Sequence, residues 1–294
     1  MVGLSLGLGL GVSRKSALSS AWFDQGKADS TNPSIWMDYK NQRYASRKAA
    51  AEVTSPLDVK LNRASTATYI DKAGIIRTAS SNVARATYNP TTLALIGLLT
   101  ESAETNESLN SETFGGTGWS SGNLASTTKA FPAPDGTNNA TLMIENTGNS
   151  THSYSAPAIT IGVAYTVSIF AKNYNPGGTS KRFLAIRGMG LGANFPVFDL
   201  ELGTVTNNGT SWVAGMSKIT AYPNGWYRCE AVGIPTTTTG PIMSLVDVGT
   251  GVSSSYTGDG VSGVYLWGAN YCQNGGVAAT SYIPAFGAAT TRAA

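Results

Sequence analysis

The single histidine, His152, lies in a polar run, GNSTHSYS, at residues 148–155. An imidazole acts as a base on a Ser or Cys nucleophile only with that nucleophile and an orienting carboxylate nearby. No nucleophile motif flanks His152, so the sequence reads it as a solvated loop residue. Glycoside hydrolysis needs two carboxyl groups about 5–9.5 Å apart across a cleft. The pairs available are Asp199 with Glu201 and Asp247 with Asp259. Asp199 and Glu201 alternate on a strand running into Gly203, the spacing of a solvent face at a hairpin. Asp259 stands in TGDG, where an Asp-Gly turn accounts for it. The reading is therefore not an enzyme, with a polysaccharide depolymerase as the remote alternative.

Cofactor chemistry finds little support either. Gly-x-Ser-x-Gly and the P-loop are absent, and GMGLG at 188–192 lacks the strand-to-helix context of a dinucleotide site. Asp135 in APDGTNN and Asp259 offer calcium oxygen ligands in loops, but turn chemistry is the simpler account. No metal or other cofactor is expected. The two cysteines, Cys229 and Cys272, are too few for a zinc site or a disulfide scaffold. They read as free buried thiols, with a bond between them left open.

Binding has more to work with. Sugars are held by flat apolar rings against their C–H faces and by polar side chains on their hydroxyls. In AYPNGWYRCEAV at 221–232, a turn at Pro223-Asn224-Gly225 leads into a strand with Tyr227, Cys229 and Ala231 on one side. Trp226, Arg228 and Glu230 take the other side, an exposed platform for a sugar or a subunit. Trp119 in GGTGWSSGN and Trp212 in NNGTSWVAG are loop tryptophans among hydroxyls, either ligand-facing or pinned into an edge. Tyr265, Trp267, Ala269 and Tyr271 fall on one face of a strand that stays apolar throughout, so this row is expected to face the core.

The elements that must position these residues are mostly strands. Charged residues are only 13% of 294, against 34 Gly and abundant Ser, Thr and Asn, which describes a β-rich chain with a hydroxyl-coated surface. Residues 1–92 carry 12 Lys and Arg against 6 Asp and Glu, and residues 93–294 carry 8 against 11. The basic residues are scattered without interleaved aromatics, so no nucleic acid is expected. The start, MVGLSLGLGLGVSRK, is too short to span a bilayer. Its Leu4, Leu6, Leu8 and Leu10 share one face of an extended strand, which fits insertion into a partner protein.

Residues 41–53 are rich in helix formers, until Pro56 stops the pattern. Two β-prone runs around Asp71-Lys72-Ala73-Gly74 predict a hairpin. From about 110, some eight short strands separated by turn residues predict a jelly-roll sandwich. Three regions result: an arm and connector at 1–61, a hairpin and linker region at 62–109, and a jelly roll at 110–294.

Three stretches carry a resemblance. NRASTATYIDKAGIIRTASSNVAR at 62–85, IGLLTESAETN at 96–106, and YTGDGVSGVYLWGAN with TSYIPAFGAATTRAA at 256–294 resemble a pattern in structural proteins of tailed bacteriophages. In those proteins a hairpin and a Gly-Leu-Leu-x-Glu segment precede a jelly roll similar to carbohydrate-binding modules. NGWYRCEA and FDLELGTV fit the same pattern. Thr100, Ser102 and the Tyr271-Cys272 ending depart from it.

The resemblance implies a tail-fibre, head-fibre or decoration protein exposed on the virion and assembled in the host cytoplasm. Its N-terminus would dock on capsid, portal or tail proteins, and its jelly roll would bind host surface polysaccharide. A trimer or other homo-oligomer is expected, without membrane insertion. The rival expectation is a decoration or cement protein that binds no sugar.

Overall fold

The computed structural model describes residues 62–176 and 182–294, together with three short strands nearer the N-terminus. The chain divides into two units, 1–60 and 61–294. In the first, β1 (Ile35–Asp38), β2 (Arg43–Ser46) and β3 (Ala51–Val53) form an antiparallel sheet in that order. The run read as helix-prone thus contains strands. Propensity is a weak prior, and a lone helix of a dozen residues is marginal in water. Leu4, Leu6, Leu8 and Leu10 lie outside the described residues.

The second unit opens with the expected hairpin of β4 (Ala67–Ile70) and β5 (Ile76–Ala79). Asp71 Oδ1 accepts the amides of Ala73 and Ile75 at 2.8 and 3.0 Å, and Gly74 supplies the φ of 77° that closes the turn. A second hairpin pairs β6 (Ala86–Tyr88) with β7 (Leu95–Leu98), and β8 (Glu104–Asn106) pairs with the last strand, β22 (Thr290–Arg292).

Between them stands a two-sheet sandwich. The first sheet is built from β10 (Leu124–Phe131), β11 (Ala140–Glu145), β13 (Tyr165–Tyr174), β17 (Lys218–Tyr222), β18 (Trp226–Gly233) and β21 (Gly263–Cys272). Their order is β10-β11-β21-β13-β18-β17. The second is built from β9 (Ser120–Gly122), β12 (Asn149–Ser155), β14 (Phe183–Gly188), β15 (Pro196–Asp199), β16 (Thr204–Asn208), β19 (Pro241–Val246) and β20 (Ser255–Thr257). It runs β16-β15-β14-β19-β12, with β9 and β20 both on β12. The chain crosses between the sheets at each of the three connections from β11 to β14, all paired strands among the described residues are antiparallel, and the sandwich is of jelly-roll type.

The core between the sheets follows from period-two alternation. Val167, Ile169 and Ala171 of β13 face Leu184 and Ile186 of β14 and Met243 and Leu245 of β19, all sealed from solvent. Each such aliphatic side chain contributes roughly 1.5–3 kcal/mol on full burial.

The aromatic row of β21 does not stay on one face. Ser168 pairs with Asn270 but Phe170 with Trp267, so Gly268 and Ala269 together oppose Ile169. This is a β-bulge, with Gly268 at φ 65°. Before it, Val264 and Leu266 point inward; after it, Ala269 and Tyr271 do. Tyr265 and Trp267 are left on the outer face of the first sheet, where a second core forms from Phe170, Trp226, Trp267, Tyr282 and Ile76. The row is packing, as expected, but it belongs to two cores. Ile76 comes from the β4–β5 hairpin, whose Gly74 packs against Pro223. Residues 62–109 are therefore part of the wall of this unit and do not stand apart as a linker.

The stretches that carry the resemblance meet in a polar clasp beside this second core. Glu101 accepts Arg85 Nη1 at 2.7 Å, the Ser281 amide at 2.6 Å and the Ser281 hydroxyl at 2.7 Å, with Arg292 Nη1 at 3.3 Å. Arg292, only 1% exposed, also donates to the Ser102 carbonyl at 2.7 Å. Arg63 donates to the carbonyls of Ser65, Ser80 and Val83.

Burial pushes the Glu101 carboxyl up, but the Ser281 hydroxyl and amide and the Arg292 and Arg85 charges outweigh it, and its pKa lies below the ordinary value. A depressed carboxyl pKa contributes stability above the unfolded-state pKa that is lost as pH falls through the folded one. Glu112 and Glu104, raised mainly by burial, act in the opposite sense. Glu101→Gln is expected to be less stable than wild type at about pH 7, with the gap closing toward about pH 3. Urea unfolding across pH reads this, and a gap that stays constant with pH would exclude the charge of Glu101 as its source.

Candidate functional site

The residues that the sequence offered for binding are inside the protein. Trp226 is 3% exposed and Arg228 6%. They do share the outer face of the first sheet, as alternation required, but that face is covered. Arg228 Nη2 donates to Ser168 Oγ at 2.9 Å and its guanidinium lies 5.5 Å from the centre of the Phe170 ring. Trp119 is pinned into the sandwich: its Nε1 donates to the Asn110 carbonyl at 2.7 Å and its ring lies 4.9 Å from Phe114. Trp212 is buried in the inter-sheet core. A ring sealed in a core has no face to offer a sugar.

Apart from Asp247, the groups with catalytic or metal-binding potential are likewise committed to structure. His152 is a core residue of β12, not a loop residue: it is fully buried, with Nδ1 2.6 Å from the Asn123 carbonyl and its ring 4.8 Å from Tyr256. Asp199 Oδ1 accepts the amides of Glu201 and Leu202, and Asp135 Oδ1 accepts the amide and the hydroxyl of Thr137. Asp247 is exposed at the end of β19. Asp259 accepts the Val261 and Ser262 amides and pairs with Arg182 at 3.3 Å. No group of three His, Cys, Asp or Glu suited to a metal occurs among the described residues.

Cys229 and Cys272 are both free. Opposite Ile169 and Thr166 of β13, they lie on opposite faces of the first sheet, which precludes a bond between them. Burial pushes the Cys272 thiol up to about 12, and the Cys229 thiol is raised well above its ordinary value by the same cause. Neither is a reactive thiolate.

The outer face of the second sheet is covered in part, where Ala185, Phe195, Val197 and Val246 form a third small core and Ser153 and Ser244 are buried. Across it, register aligns Arg187 of β14, Ile242 of β19, Ser155 of β12 and Ser120 of β9 in one row. Ala185, Ser244, Ser153 and Gly122 form the next row. A groove of about 450 Å³ opens over the Arg187 end. Thr239, Ile242, Ser253, Ser254 and Ser255 contribute to its lining.

The glycine-rich run at 188–192 makes one wall. Gly188, Gly190 and Gly192 all take positive φ, and a Cβ on Gly190 would overlap Thr236 Oγ1. Thr236 fastens that wall through its amide to the Met189 carbonyl at 2.9 Å and its hydroxyl to the Gly190 carbonyl at 2.6 Å.

No protein-family model matches the sequence, and no curated protein does. Among solved structures the chain is similar to the CBM22-1 and GH10 modules of an endo-1,4-β-D-xylanase from Clostridium thermocellum, solved with xylohexaose. That match has 15% identity and a TM-score of 0.33, and covers 62% of this chain and 30% of that one. It is also similar to the CBM22-1 xylan-binding domain of a Paenibacillus barcinonensis protein, at 9% identity and a TM-score of 0.32, covering 62% of this chain and 100% of that domain. The fold assignment rests on the strand topology of this chain itself.

Within the groove, Arg187 is the charged residue of the lining. Its Nε donates to Ser244 Oγ at 2.6 Å, which fixes the guanidinium over the sheet, and burial lowers its pKa. Phe195, the one aromatic of the lining, is 2% exposed. The groove therefore offers hydroxyls, a guanidinium and the aliphatic side chains of Leu191, Ile242 and Val252, but no open ring. Sequence reasoning passed it over because the signal was an Arg before a run of glycines, FLAIRGMGLG, read only against a dinucleotide template.

Proposed function

We propose that this chain is a non-enzymatic structural protein of a bacteriophage virion, docked through its N-terminal segment, whose sandwich binds host surface glycan in the groove of the second sheet. The observation that carries the glycan reading is the groove itself: serine and threonine hydroxyls and one guanidinium, at the edge of a sheet and on the loops beside it, around a space of about 450 Å³. Multiple short hydroxyl partners suit a polyhydroxylated chain. Support for the virion setting comes from the stretches resembling phage structural proteins. Their polar residues converge on the Glu101 clasp, away from the groove, which fits a shared framework carrying different ligands.

The test is binding of the full chain to host cells and extracted envelope polysaccharide, with free polysaccharide as competitor. Thr239→Trp with Ser253→Trp places two large side chains at exposed groove positions. That double variant is expected to lose about tenfold or more in affinity while keeping its melting temperature. Unchanged affinity would remove the groove as the site, and no binding by the folded wild-type chain would favour the decoration role without sugar. Release of reducing ends would show a depolymerase instead.

A further inference from the structure

The guanidinium in the groove has a consequence for ligand class. Arg85 and Arg292 face Glu101, Arg182 faces Glu145 and Asp259, and Arg63 is spent on backbone carbonyls. Arg228 and Arg187 are held by hydroxyls instead: Arg228 is sealed against Ser168 and Phe170, whereas Arg187 is half-buried in the groove lining, its Nε held by Ser244, and among the described residues no carboxylate pairs with its remaining N–H groups. The groove lining contains no Asp or Glu. A cation drawn partly out of water without a counter-charge is unfavourable unless a ligand supplies one. Nor is Arg187 one of a basic field, since residues 93–294 carry more acidic than basic side chains. With no exposed ring in the lining to stack on a sugar, the directional contacts come from hydrogen bonds and charge.

We propose that the groove selects an anionic glycan, with Arg187 receiving a carboxylate or phosphate of the sugar chain while the Ser and Thr hydroxyls hold its neutral hydroxyls. This rests on the glycan reading above. A guanidinium fork matches the planar geometry of either oxyanion, and a charge-assisted bond is about twice as strong as a neutral one. The neutral parts of the polymer then add little by themselves, and binding weakens as salt rises.

The probes are alginate and polygalacturonate, the same polymers after chemical reduction of their carboxyl groups, a glycerol-phosphate teichoic acid, and neutral xylan, each titrated into the full chain. At least one anionic polymer is expected to bind, and Arg187→Gln to weaken it about tenfold or more. Arg187→Lys is expected to retain the preference for acid at an affinity a few fold lower. If a uronate polymer is the ligand, carboxyl reduction removes binding, a result independent of how any variant folds; if teichoic acid alone binds, the oxyanion is phosphate. Reduced polymers or xylan binding as well as the acidic ones, or Arg187→Gln binding like wild type, would overturn the charge selection and leave the glycan reading intact. Binding of none of the polymers would overturn the charge selection; if host polysaccharide is also not bound, the glycan reading falls with it.

Discussion

Glu145→Ala is expected to lower the stability of the sandwich unit by about 3–5 kcal/mol, the cost of removing one partner from a buried ion pair. Glu145 is fully buried at the end of β11 and joins three segments of the chain. Arg182 donates to it through Nε at 2.6 Å and Nη2 at 2.5 Å, the Asp259 amide at 2.7 Å, and the Tyr256 hydroxyl closes the group. The Arg182 guanidinium also stacks 5.1 Å from the Tyr256 ring centre.

Burial works against the charge of Arg182, but Glu145 outweighs it and the guanidinium pKa is raised. Burial and the same carboxylate push the Tyr256 phenol up as well. Without Glu145, the phenol and one amide lose their acceptor, and Arg182 keeps its contact with Asp259 at 3.3 Å. The expected fall in melting temperature is roughly 6–20 °C for a unit of this size.

The exposed pair of Arg77 and Asp71, at 2.9 Å, is the comparison: with Arg77 48% exposed, Arg77→Ala should cost less than about 1 kcal/mol. Thermal unfolding of the two variants decides the matter. Equal shifts would mean that burial of the Glu145 group does not set its strength.

Trp226→Ala is the second large effect. The ring packs in the outer-face core with Phe170, Trp267 and Tyr282, so truncation leaves a cavity in a layer that ties the β4–β5 hairpin to the first sheet. A loss of about 3–5 kcal/mol is expected in urea unfolding. Trp226→Phe should recover part of it. Affinity of the folded protein for polysaccharide should not change, because the groove lies on the other sheet. A variant of normal stability and reduced affinity would reverse this assignment and put Trp226 back in the site.

These two cases mark where sequence reasoning is strong and where it stops. The turn at Asp71-Lys72-Ala73-Gly74 was legible because Asp and Gly act on their own neighbouring backbone. The strands were legible because a sheet imposes a period of two on its own residues. Alternation even placed Trp226 and Arg228 on one face correctly. What it could not supply was the state of that face, which depends on Ile76 and Tyr282, remote in the chain. His152 shows the same limit: its polar neighbours suggested a loop, yet strands β9, β19 and β20 enclose β12.

The sequence by itself determined that this is a β protein, where many of its turns fall, and that no known catalytic motif is present, because those properties arise from residues near one another in the chain. Only the tertiary structure decided which aromatic rings are sealed, how the Gly268 bulge divides one strand between two cores, and that Arg187, held by the buried Ser244, lines a groove with residues 253–255. A sheet face becomes a surface or a core only when segments distant in sequence cover it or leave it open.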